Sequence, residues 1–102
     1  MNNKWTLLAK LIVKLDKEKF TYQVNKPHKV TKGVAGYQRV QIDLAVFDTD
    51  GNFMGAFYVG PKKNRRMFKY KLLKVPVYYV HEEEDIAKGF QKFVQDYLLS
   101  IK

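Results

Sequence analysis

The chain of 102 residues contains no cysteine. Disulfide scaffolds and thiolate-bound zinc or iron–sulfur centres are thereby excluded. Serine occurs once, at Ser100 near the end of the sequence, which leaves no nucleophile for a Ser-His-Asp arrangement. The two histidines, His28 and His81, are far apart and share no ligand spacing with other donors, so the expectation is no metal and no cofactor. His81 precedes Glu82-Glu83-Glu84-Asp85 and reads as part of a helix start. No glycine pattern of the phosphate-binding kind is present. No apolar run approaches the roughly 18 to 20 residues of a membrane span. Lysines interrupt the first apolar stretch, which reads as an amphipathic helix and not as a signal peptide. The expectation is a soluble, cytoplasmic protein with no membrane partner.

Acidic residues are also scarce: 10 Asp+Glu face 19 Lys+Arg, for a net charge of +9. Apolar residues make up 46%, including 15% aromatic, which argues against a disordered basic tail. A folded basic domain of one core is the reading, and a polyanion such as nucleic acid is its first candidate partner. The charge is blocked. Residues 1–41 carry nine bases and two acids, and residues 42–60 carry three aspartates alone. Residues 61–74 carry seven bases and no acid; residues 75–102 carry three bases and five acids. Two basic segments thus flank an acidic hairpin, an arrangement that can build a basic stripe.

Periodicity predicts a first helix over 4–16, capped by Asn3, with Trp5, Leu8, Ile12 and Leu15 on its inner face. A strand follows at 20–26, then a polar loop or hairpin connection at 27–36. Residues 37–48 alternate clearly: Val40, Ile42, Leu44 and Val46 on one side, Tyr37, Arg39, Gln41 and Asp43 on the other. From Ala45 both sides are apolar, as in a central strand. Asp48 to Asn52 is a turn, and 53–59 returns antiparallel. Pro61 suits a first helical position, so 62–74 reads as a basic helix with Phe68 and Leu72 inward. A short strand at 77–80 and an amphipathic helix on Ile86, Phe90, Phe93, Val94, Tyr97, Leu98 and Ile101 complete the chain. The fold class is α/β: one domain over 1–102 with a mixed four-stranded sheet flanked by helices, in the order α-β-β-β-α-β-α.

This order, together with the motif I-D-L-A-V at 42–46, the Asp50-Gly51 turn, Arg65-Arg66, Lys69, Leu72-Leu73 and Val75-Pro76, resembles the PD-(D/E)XK, restriction-enzyme-like nuclease superfamily. The resemblance spans about residues 5–80. It implies that Asp43 corresponds to the family's metal-binding aspartate. The family's second carboxylate and its catalytic lysine would fall at Tyr58 and Gly60, which carry neither function. Such nucleases need two carboxylates to hold a hard divalent cation and a lysine near the attacking water. The resemblance therefore implies a nuclease-like fold with an inactive site, hence no enzyme.

The candidate nucleic-acid-binding residues are Lys62, Lys63, Arg65, Arg66 and Lys69 on the basic helix, with Arg39, Tyr37 and Tyr58 lining the former cleft. Spaced by four and three, Lys62, Arg66 and Lys69 would form a row that tracks phosphates. Tyr37 or Tyr58 would either stack on an unpaired base or be ordinary packing residues whose hydroxyls reach water. Trp5, Tyr78, Tyr79 and the aromatics of the last helix read as core or interface. The expected function is a non-catalytic accessory subunit that binds DNA, single-stranded before duplex. Its expected setting is a replication or DNA-processing enzyme, such as a polymerase, primase or helicase of a phage or mobile element. Two alternatives stand beside it: a divergent metal-dependent nuclease that recruits other carboxylates to Asp43, and a protein-interaction module without nucleic-acid binding.

Overall fold

The computed structural model of the chain describes residues 4–31 and 37–100. Helix α1 (Lys4–Lys17) precedes three antiparallel strands, β1 (Thr21–Thr31), β2 (Tyr37–Phe47) and β3 (Phe53–Val59). A short helix α2 (Arg65–Lys69) and a 3₁₀ turn (Tyr70–Leu72) lead to β4 (Val77–Val80), which pairs parallel to β3. Helix α3 (Glu84–Ser100) closes the described chain. The sheet order is β1-β2-β3-β4. The α/β class, the element order and the mixed sheet all match the sequence reading. The parallel pair follows from the α2 connection, because a hairpin cannot return a strand in its own direction.

Two apolar clusters flank the sheet. In one, α1 contributes Leu7, Leu8, Leu11 and Leu15 and α3 contributes Ile86 and Phe93, packed on Leu44, Val46, Phe57, Val59, Tyr78 and Val80. The other gathers Val30, Val40, Ile42, Ala45, Ala56 and Tyr58 beneath Tyr70 and Leu73 of the α2 connection. Residues 42–46 of β2 are buried throughout, as a strand covered on both sides must be.

Four local expectations are corrected. On α1, Leu8 and Leu15 are buried and Ile12 packs partly buried against the core, all as read, but Leu7 and Leu11 join them while Trp5 is 60% exposed. Leu7, Leu11 and Leu15, one turn apart, lay a stripe of equal-sized side chains on the sheet, and the bulkier indole stays outside it. Asn3, the expected cap, lies outside the described residues.

Strand β1 runs on to Thr31 through the segment read as a loop, pairing Pro27 with Gln41 and Val30 with Gln38. Pro27 is tolerated because β1 is an edge strand and needs no ladder donor on its outer side.

The basic segment 62–74 is helical only over 65–72, as a five-residue α-helix that tightens into a 3₁₀ turn. Lys63 takes φ +58°, which a helix cannot continue through, and Asn64 restarts the chain as an N-cap, its side chain accepting from Arg66 N at 2.8 Å. That cap sets the phase of α2. Met67 and Tyr70 therefore turn inward, and Phe68, expected inside, is 50% exposed.

On α3, Ile86 and Phe93 are buried as read, whereas Leu98 is half exposed. Ile101 lies outside the described residues. The start of α3 is held by Asp85, whose Oδ2 accepts from the backbone N–H groups of His81 and Glu82, both at 2.9 Å.

Candidate nucleic-acid interface

Pairing between β2 and β3 runs from Phe47↔Phe53 to Leu44↔Phe57 and stops there. Beyond that point the backbone groups that would have met across the ladder need other partners. Side chains supply them. Val59 N donates to Asp43 Oδ2 at 2.8 Å. Asp43 N donates to the Tyr70 hydroxyl at 2.8 Å, and that hydroxyl donates to Gln41 O at 3.0 Å. Tyr70 thus fills the wedge where the two strands part. Burial, and after it the charge of Asp43, pushes its phenol above the usual tyrosine range, so it remains a donor at any ordinary pH.

Asp43 itself is fully buried. Its Oδ1 lies 2.7 Å from Lys4 Nζ at the start of α1, an ion pair without the alignment of a hydrogen bond. Its Oδ2 takes Arg66 Nη1 from α2, also at 2.7 Å. One carboxylate therefore ties both helical layers to the divergent strands. Arg66 reaches further: Nη2 donates to Val59 O at 3.2 Å, and the guanidinium lies 4.7 Å from the centre of the Tyr58 ring. Burial alone would lower the Arg66 pKa, but hydrogen bonding and charge attraction to Asp43 outweigh it and raise it.

Tyr58 is also fully buried. Its hydroxyl donates to Pro61 O at 2.7 Å, and its ring meets Tyr70 edge-on at 5.4 Å. A base cannot stack on it, which corrects the role expected for Tyr58. Gly60 is required next to it: a Cβ there would sit 2.9 Å from the Tyr58 hydroxyl and 3.2 Å from Arg66 Nη2. Gly60 O in turn accepts from His81 Nδ1 at 2.8 Å, and since a carbonyl only accepts, Nδ1 carries the proton. His81 is thus a strand-end brace as well as the start of the α3 cap.

Active nucleases of the kind the sequence resembles hold a divalent cation on such an aspartate, and the residues here do not fit one. Two cationic side chains and an amide already occupy the Asp43 carboxylate, and Tyr58 and Gly60 bring no second one. Asp48 is committed to its own turn: it accepts from Asp50 N, Asn52 N and Asn52 Nδ2. These bonds, that from the Asn52 backbone foremost, hold its carboxyl below the usual range. Glu83 pairs with Lys10. Among the described residues no three His, Asp or Glu side chains converge.

The basic residues do come together, in part. A groove of about 590 Å³ is lined by Pro27 of β1, Arg39 and Gln41 of β2, and Asn64, Arg65, Arg66 and Lys69 of the α2 connection. None of these residues is acidic. Within it Gln41 is held through Nε2, which donates to the backbone oxygen of Asn25 at 2.8 Å and to Asn25 Oδ1 at 2.9 Å. Asn25 takes φ +55°, a conformation its short polar side chain tolerates.

Four of the expected binding residues, Arg39, Arg65, Arg66 and Lys69, line this one groove, contributed by two elements. Lys62 and Lys63 are exposed on the turn before α2 and lie outside it, so the expected Lys62–Arg66–Lys69 helical row does not form. Arg66 lines the groove while its Nη1 is held by Asp43, which also pairs with Lys4. The side chain of Tyr37 lies outside the described residues.

Sequence reasoning missed Tyr70 and Lys4. The signal for Tyr70 was the cap at Asn64, from which the inward phase of Met67 and Tyr70 follows. Lys4 had none, because its partner is 39 positions away in sequence.

No helix among the described residues is long and apolar enough to cross a membrane. Compared with protein-family models, with curated proteins and with solved structures, the chain matches none.

Proposed function

We propose that this chain is a non-catalytic nucleic-acid-binding protein, a small accessory subunit that binds DNA, single strands in preference to duplex. Its partner would be a replication or DNA-processing enzyme, such as a polymerase, primase or helicase of a phage or mobile element. One observation carries the reading: Arg39, Arg65 and Lys69 converge from strand and helix on a groove with no acidic lining residue. Cations held at the rim of a groove exchange with the counterions of a phosphate backbone, and their release drives binding. The absence of catalysis is supported by Asp43, the one aspartate with a nuclease-like placement. Its buried carboxylate is consumed by Lys4, Arg66 and an amide.

The test is binding of labelled single-stranded and duplex DNA across a salt series. Affinity should fall steeply with salt. Arg65→Ala and Lys69→Ala should each weaken binding and lower the logarithmic salt slope for single strands by about 0.7. No binding at low salt would sink the reading. Incubation of DNA with Mg²⁺ or Mn²⁺ should produce no cleavage; cleavage that disappears in Asp43→Ala would establish the nuclease alternative instead.

A further inference from the structure

The stacking partner expected at Tyr58 is sealed inside the protein, yet α2 carries another aromatic ring into solvent. Phe68 is 50% exposed and sits between residues that carry the basic groove. On the helix it lies one turn after Arg65 and directly before Lys69, both of which line the groove. Residues three apart on a helix are surface neighbours, so the ring borders Arg65. From the C-terminal side, Lys71 Nζ lies 5.3 Å from the centre of the ring. One cation, that of Lys71, thus lies over the ring, Arg65 is its neighbour on the helix, and the side chain is half exposed.

We infer that Phe68 is the base-stacking platform of this protein, taking an unpaired base of a single strand whose phosphates run along Arg39, Arg65 and Lys69. The inference rests on the nucleic-acid reading above and adds to it the residue that distinguishes single from double strands. A cationic groove alone attracts any phosphate backbone, duplex included. An exposed ring beside Arg65 gains from a base only when that base is unstacked from its neighbours, and it does so whatever the base, because every base has a π-face. The surrounding charge also argues against a protein occupant at this ring: an apolar partner would have to bury Arg65, Lys69 and Lys71 unpaired.

The local geometry makes the exposure a consequence of the sequence. The Asn64 cap begins the helix at Arg65, so Met67 and Tyr70 fill the inward positions. A helix phase that buried Phe68 would move Tyr70 out of the wedge between β2 and β3, where its hydroxyl satisfies two backbone groups. Phe68 therefore stays outside as long as the wedge is filled.

The experiment measures affinity for a labelled dT oligonucleotide and for a blunt duplex at low salt, using the full chain. Phe68→Ala should weaken dT binding about tenfold, the usual scale of one lost stacking contact, and leave duplex binding within about twofold. Phe68→Leu, which keeps the apolar volume without the ring, should behave like Phe68→Ala, and Phe68→Trp should restore binding. Thermal melts should show all three variants folded, since the side chain is half in solvent. Trp5→Ala removes another exposed aromatic, on α1, and should change neither affinity. The inference is overturned if Phe68→Leu binds dT as the unmodified chain does, if dT and duplex weaken equally, or if the loss appears in Trp5→Ala instead. In those cases a persisting loss in Arg65→Ala and Lys69→Ala keeps the nucleic-acid reading intact. Failure of the unmodified chain to bind either probe removes both.

Discussion

On one side of the sheet, α1 and α3 cover the strands with leucine, isoleucine, valine and phenylalanine, and the hydroxyl of the buried Tyr78 reaches Asp96. On the other, Tyr70 and Arg66 of the α2 connection meet Tyr58 of β3 and the buried Asp43 of β2 at the place where β2 and β3 separate. The first cover depends on area and shape and has no preferred direction. The second depends on bonds of fixed geometry, and each member satisfies a group that would otherwise be stranded. The difference corresponds to what each side carries. The apolar side holds α1 and α3 to the sheet and tolerates small adjustments. The polar side fixes the phase of a five-residue helix too short to hold itself, and with it the positions of Arg65, Phe68 and Lys69.

Removing Asp43 should have the largest effect. Asp43→Ala leaves Lys4 and Arg66 partly buried without a counter-charge and Val59 N–H without an acceptor, at a cost of about 3–5 kcal/mol in urea unfolding. Leu11→Ala on the apolar side should cost a similar amount, about 2–5 kcal/mol, by leaving a cavity. The contrast lies in coupling. In an Arg66→Met background the cost of Asp43→Ala should shrink, whereas that of Leu11→Ala should stay the same. Equal costs in both backgrounds would mean that the two sides are held in the same way.

Next is Tyr70→Phe, which deletes one oxygen and keeps the ring. The Asp43 N–H and the Gln41 carbonyl lose their partner, for about 1–3 kcal/mol by the same measurement. A change near zero would show that water fills the wedge as well as the hydroxyl does.

The smallest effect is at the start of α3. Asp85→Ala should cost about 1 kcal/mol at neutral pH, the usual value of an N-terminal cap. Burial raises the Asp85 carboxyl, but hydrogen bonds from the Glu82 and His81 amides and the charges of His81 and Lys88 outweigh it, so its folded pKa is depressed. The stabilisation is therefore complete above the unfolded carboxylate pKa of about 4 and is lost as pH falls through the lower folded value. Urea unfolding at pH 7 and pH 3 should show the difference between Asp85→Ala and the unmodified chain narrowing at the acidic end.

Much of this architecture was legible in advance where the signal is periodic. Strands β2, β3 and β4 fall within one residue of their expected limits, because alternation and the Asp48–Asn52 turn leave little freedom. Strand β1 was read short because Pro27, His28 and the polar residues around them lack alternation; only the edge position, which is tertiary, makes a strand of them. The charge density of 61–74 was visible, but its shape was not. A run of lysines and arginines has no inward face of its own, so Asn64 and the wedge at Tyr70 decide which residues turn out. For the same reason Phe68 reads as inward although it is half exposed, whereas Tyr58, on β3, is buried and lines no cleft.

The sequence by itself determined the α/β class, the order of elements and the blocked positive charge, because hydrophobic period and turn chemistry act over a few neighbouring residues. Only the tertiary structure decided that Asp43 is enclosed by Lys4 and Arg66, that Tyr70 closes the gap between the strands, and that Arg39 from a strand meets Arg65 and Lys69 from a helix. Those pairings join residues 23 to 39 positions apart, and no local pattern encodes them. They follow from where two strands part and from the cost of leaving a buried polar group without a partner.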